Sequence, residues 1–491
     1  MLLCALAALL AGSGAAQSAL TVTLDDSIAA GPPIPSDYVG LSFETANLLP
    51  DKNGKHLFSG ENRPLIALFR NIGIKSLRIG GGTAELPNYP DPAFDDIDQL
   101  FGFARAAHVK IIYTLRLLNG EPPKAAATAK YIWQHYGSYL ASFAIGNEPD
   151  WHAYHCFPGH SVDPRIYETT PGTPGTAFPS FLSRWREFAA SVQEAVPAAR
   201  FGGPDTGSNF PVPGARDTDY QDRSWTQEFV ASERGNGRIV GAFLHDYVGQ
   251  SATGINLNTA VDSMLSREWL LTNYSALKTH VLAPVQAAGY PCRMTECNDY
   301  TGGVDGASNA FASALWALDY MHWHAARGAA GVNFHNKRWI YTCTIYQDRD
   351  GSLRINPKAY ALKAFSLASQ GRVEPLTLSN PDGLNLTAYA VRASGKHWVT
   401  LINKEHGHGS RDAEVILAAP SSKSAAPAEI MFLRAPNNDP AAKIGVTLGD
   451  SVIRPDAPWR GRWGRLPASS AGHYVLKVSP ASAAILCFSA R

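Results

Sequence analysis

Two glutamates follow apolar runs in segments whose residue types suit acid–base chemistry on a sugar. Glu148 ends the run Phe143-Ala-Ile-Gly-Asn-Glu, and Glu296 ends the run Cys292-Arg-Met-Thr-Glu. Cleavage of a glycosidic bond needs two carboxyl groups that flank it, and retaining enzymes hold them about 5–5.5 Å apart. We therefore predict that Glu148 is the general acid/base, that Glu296 is the nucleophile, and that Asn147 binds the sugar 2-hydroxyl.

The competing interpretation is that each glutamate is an ordinary surface carboxylate at the end of a strand. The Asn147-Glu148-Pro149 triplet after an apolar run, together with a second strand-end glutamate, favours the catalytic interpretation. A later loop contains three histidines whose spacing fits no compact zinc motif: His152, His155 and His160. We predict neither a metal site nor a cofactor.

Between residues 35 and 368, the segments that would position these glutamates alternate between predicted strands and predicted helices. Short β-rich runs are followed by helical stretches, an order typical of βα units around a parallel sheet. The eight strand candidates are Val39–Phe43, Ser76–Ile79, Lys110–Leu115, Ser142–Ile145, Arg200–Gly203, Gly241–His245, Cys292–Thr295 and Gly331–Phe334. They predict an α/β fold, a (β/α)₈ TIM barrel over 35–368, in which strand ends four and seven share one mouth. An open doubly wound sheet is the alternative, but Gly80-Gly81-Gly82 is no GxGxxG motif.

The longest apolar periodicities between these runs predict the helices. They cover Leu65–Ile72, Phe94–Ala107, Phe178–Val196, Ala260–Ala288 and Asn309–Ala326. The last of these is apolar on nearly every side, so we expect it to be pressed against the barrel wall.

The pattern changes in 369–491, where runs of period two occur without intervening helices. These runs predict a C-terminal antiparallel β-sandwich domain and cover Asn385–Val391, His397–Asn403, Ala413–Leu417, Glu429–Leu433, Tyr474–Val478 and Ala483–Phe488. The segment 18–34 contains one further run, Leu20–Leu24, which we expect to pair into this β-domain.

Composition excludes several classes of protein. The chain of 491 residues has a net charge of +1, without the basic excess of a nucleic-acid binder. After the N-terminus, no apolar stretch reaches the roughly 20 residues of a membrane span. The segment 1–17 resembles the apolar region and cleavage site of a signal peptide, which predicts a secreted or periplasmic protein; an Ala-rich unstructured start is the alternative.

The cysteines have no C-x-x-C pair, which excludes the common zinc and redox spacings. A disulfide between Cys297 and Cys343 is one alternative. Buried free thiols are the more common state of such residues, and we expect them here.

Six motifs lie at the predicted strand ends or just after them. They are Leu41-Ser-Phe-Glu44, Leu77-Arg-Ile-Gly-Gly-Gly-Thr83, Phe143-Ala-Ile-Gly-Asn-Glu-Pro149, Leu244-His-Asp-Tyr247, Glu296 with Gly302-Gly303, and Asn333-Phe-His335. With these motifs the chain resembles glycoside hydrolase family 79, the β-glucuronidase and heparanase family, over nearly its whole length. The resemblance implies a retaining, exo-acting β-glucuronidase whose partner is a carbohydrate.

The resemblance also implies roles for residues around the two carboxylates. Glu44 would hold the 3/4 edge of the sugar, Arg78 and Thr83 would support the nucleophile and the sugar, and His245 and Tyr247 would lie near the carboxylates, with Tyr247 donating to Glu296. Backbone amides of Gly302 and Gly303 would bind the uronate carboxylate, assisted by Tyr341 or Tyr346. The family often has tyrosine directly before these glycines, whereas this chain has Thr301 there and Tyr300 one residue earlier.

Structural roles compete with several of these assignments. The alternative for Arg78 is an arginine in a structural ion pair. The alternative for His245 is a core histidine whose hydrogen bonds are satisfied. Two other functions also stay open: the same chemistry on a neutral xyloside, glucoside or galactoside, and a non-catalytic carbohydrate-binding barrel.

Overall fold

The computed structural model describes residues 20–25, 27–150, 177–207, 224–249, 255–418, 426–469 and 472–489. The proposed signal segment 1–17 with Cys4, and the loop that contains Cys156, His152, His155 and His160, lie outside these residues. Among the described helices, none is both long enough and apolar enough to cross a bilayer.

Eight parallel strands form a closed barrel. They are β2 Val39–Glu44, β3 Ser76–Gly80, β4 Lys110–Leu115, β5 Leu140–Ile145, β6 Phe201–Thr206, β7 Ile239–Gly249, β8 Cys292–Tyr300 and β9 Gly331–Asn336. β2 pairs with β3 on one side and with β9 on the other, which closes the sheet. The predicted (β/α)₈ barrel is thereby confirmed, and the doubly wound sheet is wrong.

The strands β7 and β8 continue several residues beyond the apolar runs that predicted them. Their ladder extends through the pairs His245–Glu296, Tyr247–Asn298 and Gly249–Tyr300. Polar residues occupy these positions because the ladder hydrogen bonds come from the backbone, and the side chains point into the mouth or the surrounding wall. Glu296 therefore lies inside its strand.

Helices pack around the barrel. Their bounds are Arg63–Ile72, Phe94–Ala107, Pro122–Tyr136, Ala177–Ala195, Trp225–Glu233, Leu257–Leu265, Phe311–Ala325 and Lys358–Ala368. The first shows why such segments are helical: Asn62 caps its N-terminus by accepting from the Leu65 amide, and Gly73 ends it at φ +92°. Between these caps it buries Leu68 and Phe69 against the barrel.

The single helix predicted over 260–288 is broken. The pieces are Leu257–Leu265, a π-helical turn Leu270–Tyr274, the short turn Ser275–Leu277, a second π turn Lys278–Leu282, and Ala283–Ala287. Ser266 takes an extended conformation that ends the first piece. The hydroxyls of Thr272 and Ser275 then donate to the carbonyls of Glu268 and Leu270, which competes with regular helix hydrogen bonds.

Two sheets lie beside the barrel. The first has the order β13-β1-β16-β20, with β1 Leu20–Leu24, β13 Leu376–Ser379, β16 Ala413–Ala418 and β20 His473–Val478. The second has the order β12-β14-β15-β21-β17-β18 with β19 on β17, where β12 is Arg372–Glu374, β14 Leu386–Ala393, β15 Lys396–Asn403, β17 Ala428–Arg434, β18 Thr447–Leu448, β19 Gly464–Leu466 and β21 Ser482–Ser489. Their strand pairs are antiparallel except that β1 runs parallel to β16. Val22, Val415 and Leu486 belong to the core between the two sheets. The N-terminal strand thus pairs with strands from the other end of the chain.

The buried helix Phe311–Ala325 joins the barrel to these sheets. One of its residues, Asp319, accepts hydrogen bonds from Lys404 at 2.8 Å and from Thr387 and Tyr389 at 2.7 Å each. Removing one partner of a buried ion pair leaves a costly bare charge, so this cluster fixes the sheets on the helix.

The described cysteines, Cys292, Cys297, Cys343 and Cys487, are buried free thiols. The prediction of free thiols is confirmed for these four, and the alternative of a disulfide between Cys297 and Cys343 is wrong.

A small hairpin, β10 Ile345–Gln347 with β11 Leu353–Ile355, follows β9. The hairpin strands, and the strands β12, β18 and β19, have two or three residues each. They are too short for an alternating pattern to predict them.

Candidate active site

Arg78 lies at the centre of the barrel mouth and is fully buried. One guanidinium nitrogen, Nη1, donates to Ser42 Oγ at 3.2 Å and to Glu296 Oε2 at 2.8 Å. The other, Nη2, donates to Asn147 Oδ1 at 2.7 Å and to Asp205 Oδ2 at 2.6 Å. The planar fork of arginine suits this task, because it fixes several acceptors at once. Arg78 thus joins residues from four parts of the barrel.

Glu296 is held by donors on both carboxylate oxygens. Tyr247 donates its hydroxyl to Oε1 at 2.6 Å, Arg78 donates to Oε2, and His335 Nδ1 lies 3.3 Å from Oε1. Burial favours the neutral carboxyl, but the charges of His335, His245 and Arg78 outweigh it and lower the pKa of Glu296. Glu296 is therefore ionised at neutral pH, as a nucleophile must be.

Glu148 follows a sharp turn at the end of β5. Gly146 has φ +85° and Glu148 has φ +47°, a left-handed conformation that is uncommon for a residue with a side chain. The turn is fixed from two sides, because the Glu148 amide donates to the Asp205 carbonyl at 2.9 Å and the Asn147 amide donates to Glu85 Oε1 at 3.0 Å. The Glu148 carboxyl group lies 2.8 Å from His245 Nδ1, and its side chain is 23% exposed.

The carboxyl groups of Glu148 and Glu296 converge. One oxygen of each, together with a ring nitrogen of His245, lies within 4.8 Å of the other two. These three groups could ligate a metal ion, but the donors that occupy both Glu296 oxygens disfavour ligation. The spacing suits two carboxyl groups that flank one glycosidic bond.

His245 is fully buried between two carboxylates. Its Nδ1 faces Glu148 Oε1 at 2.8 Å, and its Nε2 faces Asp205 Oδ1 at 3.4 Å. Burial favours the neutral ring, but the charges of Glu296 and Asp205 and the hydrogen bonds outweigh it and raise the pKa of His245 to about 10. At neutral pH the ring is an imidazolium, so the position is more than a satisfied core histidine.

This raised pKa predicts how stability depends on pH. The folded state holds a proton on His245 that the unfolded chain, with its ordinary pKa of 6.5, releases first. The stabilisation is complete below pH 6.5 and is lost as pH rises towards 10. Unfolding by urea at a series of pH values should show this decline in wild type and a flatter profile for His245→Gln. The control His135→Gln changes an exposed histidine. Equal slopes for wild type and His245→Gln would contradict the imidazolium.

A second cluster surrounds Glu44 at the end of β2. Glu44 Oε2 accepts from the Thr83 amide at 2.9 Å and from the Thr83 hydroxyl at 2.8 Å, while Oε1 faces His335 Nε2 at 3.3 Å and Lys337 Nζ at 3.1 Å. Burial opposes ionisation, but His335, Lys337 and the Thr83 amide outweigh it and hold the pKa of Glu44 well below its ordinary value. His335 also lies 2.7 Å from the Tyr247 hydroxyl, which connects this cluster to Glu296.

Most of the residues singled out in the sequence meet in this network. They are Glu44, Arg78, Thr83, Asn147, Glu148, His245, Tyr247 and Glu296. Thr83 binds Glu44, and His335 connects Glu44 to Glu296.

The loop after β8 departs from what the resemblance implies. Tyr300 is buried, donates its hydroxyl to the Ala260 carbonyl at 3.0 Å and packs on Trp269, so it does not reach the sugar position. The Gly303 amide donates to the Tyr300 carbonyl at 3.1 Å, so the expectation that this amide binds a uronate needs correction. Gly302 is exposed with φ +73°, and Tyr341 is 51% exposed; their binding roles stay predictions.

Three residues of the site were not predicted from the sequence. Asp205 lies near the end of the fifth barrel strand and binds Arg78, and Glu85 accepts from the amides of Leu117, Leu118 and Asn147. Lys337 lies just beyond β9. Asp205 and Lys337 each follow an apolar run, and this position was the sequence signal that could have identified them as residues of the site.

No family model matches this chain, and no curated protein sequence matches it. Solved structures do. A 4-O-α-L-rhamnosyl-β-D-glucuronidase from Fusarium oxysporum has a TM-score of 0.69 at 15% identity, covering 95% of this chain and 100% of that one. A bifunctional glucanase-xylanase from a metagenome library has a TM-score of 0.64 at 14% identity, covering 96% and 99%. A family 51 arabinofuranosidase from Xanthomonas axonopodis has a TM-score of 0.63 at 13% identity, covering 96% of this chain and 99% of that one.

The fold is that of the glycoside hydrolase barrels. At these identities the likeness extends to the barrel and its accompanying sheets, and it does not single out family 79 among the glycosidase families. The reaction has to be argued from the residues in the mouth.

Proposed function

We propose that this protein is a retaining glycoside hydrolase that acts on β-glucuronides. The observation that carries the proposal is the approach of the Glu148 and Glu296 carboxyl oxygens within 4.8 Å. Retaining enzymes hold their carboxyl groups about 5–5.5 Å apart, whereas inverting enzymes need about 6.5–9.5 Å to admit a water molecule.

In the first step Glu296 attacks the anomeric carbon while Glu148 gives its proton to the leaving oxygen. The bond from carbon to the aglycone breaks and a covalent glycosyl ester forms. In the second step Glu148 takes a proton from water, whose oxygen attacks the same carbon and releases Glu296. Tyr247 and Arg78 orient Glu296 for attack, and Asn147, fixed by Arg78, is available to the 2-hydroxyl.

The proton that Glu148 must donate has a defined neighbour. His245 Nδ1 lies 2.8 Å from Glu148 Oε1 and, as part of an imidazolium, donates to it. The imidazolium beside Glu148 can therefore supply that proton before cleavage and take one back after water attacks, with Asp205 balancing the charge on the far side of the ring.

The glucuronide assignment draws on two supports. One is the resemblance of the strand-end motifs to family 79, and the other is the similarity in fold to the rhamnosyl-glucuronidase from Fusarium oxysporum. A neutral β-glycoside is the second candidate, and the engaged Gly303 amide favours it.

The proposal is tested with the purified protein and a panel of 4-nitrophenyl β-glycosides. We expect the glucuronide to be preferred and proton NMR to show the β-anomer of glucuronate as the first product. Preference for a xyloside, glucoside or galactoside would reject the sugar assignment, and an α-anomer would reject retention. A folded protein that turns over no glycoside would favour a carbohydrate-binding protein.

A further inference from the structure

We propose that Lys337 binds the carboxylate of the glucuronide, an assignment that rests on the proposed function. Lys337 directly follows β9, and its Nζ lies 3.1 Å from Glu44 Oε1. The side chain is 48% exposed. An ammonium group has three donors, so one contact with Glu44 leaves donors for a ligand in the mouth.

The position of Glu44 explains why a cation is needed there. Glu44 is ionised and fixed by both donors of Thr83, and we expect it to hold the 3/4 edge of the sugar. In a glucuronide the carboxylate is attached to the carbon next to C4, so a sugar held through its 4-hydroxyl brings a second negative charge close to Glu44. Like charges at that distance oppose binding unless a cation lies between them. Lys337 offers that cation.

The other cations of the mouth have protein partners in the described part of the chain. Arg78 is fully buried on its protein partners, and His245 is enclosed by Glu148 and Asp205. The ring of His335 uses both nitrogens within the network, with Nε2 facing Glu44 and Nδ1 facing Tyr247 and Glu296. Arg338, the next residue after Lys337, turns away to Asp51 and Gln347.

The family resemblance implies that the backbone amides of Gly302 and Gly303 bind the carboxylate, but one of these two amides is already occupied here. The Gly303 amide is used within its own turn, and a side chain at Gly303 would collide with Thr342. Carboxylate recognition by a lysine from the loop after β9 would replace recognition by the glycine turn after β8. A point charge of this kind discriminates a uronate from a neutral sugar, whose hydroxymethyl group makes a weaker hydrogen bond.

The test compares Lys337→Met with wild type on 4-nitrophenyl β-glucuronide and β-glucoside. We expect kcat/KM for the glucuronide to fall roughly 10–100-fold, mainly through KM, because a charge-assisted hydrogen bond is lost. The value for the glucoside should fall much less, because a neutral sugar loses only the support that Lys337 gives to Glu44. Lys477→Met is the matched control. Lys477 is an exposed lysine on β20, distant from the mouth, and it pairs with Asp412.

Equal losses on both substrates would overturn the assignment and make Lys337 a support for Glu44 alone. Calorimetric titration with free glucuronate gives a readout that does not need turnover. Wild type should bind glucuronate more tightly than Lys337→Met, and equal affinity or no binding by wild type would also overturn it. A wild type that binds glucuronate through Lys337 but cleaves no glycoside would refute only the proposed hydrolase.

Discussion

Replacing Glu296 by alanine should lower kcat on an aryl β-glucuronide by roughly 10⁴-fold or more, since removing a covalent nucleophile abolishes the two-step route. Glu148→Ala should lower kcat by roughly 10²–10⁴-fold, the range for general acid–base catalysis. The roles differ, although the two carboxyl groups lie within 4.8 Å of each other. Steady-state kinetics on the glucuronide measures both effects.

Azide separates the two roles. In Glu296→Ala the anion can occupy the space of the lost carboxylate and attack from that face, giving the α-glycosyl azide from a β-glucuronide. In Glu148→Ala it can attack the glycosyl ester on Glu296 and give the β-glycosyl azide. Glu374→Gln, which changes a buried carboxylate paired with His397 in the sheets beside the barrel, is the control and should keep wild-type kcat. Unchanged turnover in Glu296→Ala, or the same azide product from both variants, would reject the assignment.

Arg78→Met should lower the free energy of unfolding by about 3–5 kcal/mol, the range for removing one partner of a buried ion pair. The methionine fills similar space but leaves the carboxylates of Asp205 and Glu296 without their closest cation. Urea unfolding should show a lower midpoint with an unchanged slope. Activity should fall as well, because Glu296 loses the donor on Oε2.

Arg411→Met is the matched control, since Arg411 forms an exposed ion pair with Glu405 at 3.4 Å. Exposed pairs contribute about 0–1 kcal/mol, so this variant should unfold near the wild-type midpoint. If Arg78→Met is too unstable to purify, Arg78→Lys keeps the charge without the fork and should show an intermediate loss. An Arg78→Met protein within about 1 kcal/mol of wild type would contradict the central role of this arginine.

The order of elements could be read from the sequence because it depends on local periodicity. All eight barrel strands begin within a few residues of the apolar runs that predicted them. The strands of a parallel barrel are buried on both faces, and their sequences are therefore continuous apolar runs. The helix predicted over 260–288 failed for equally local reasons: Ser266 takes an extended conformation that breaks it, and the hydroxyls of Thr272 and Ser275 bond to backbone carbonyls in the π-helical part that follows. Periodicity carries no information about those hydroxyl groups.

The amino-acid sequence by itself determined which barrel strands carry the two glutamates: Glu148 follows the fourth strand and Glu296 lies in the seventh. Their chemical type and strand position are local properties. Tertiary structure alone decided how they are used. Arg78 reaches four partners that are far apart in the chain. His245 is charged because Asp205 and Glu296 lie close to it. The Gly303 amide is occupied by a hydrogen bond, and Lys337 lies beside Glu44. Charge and hydrogen bonding depend on distances between separate segments, and only the closed barrel sets those distances.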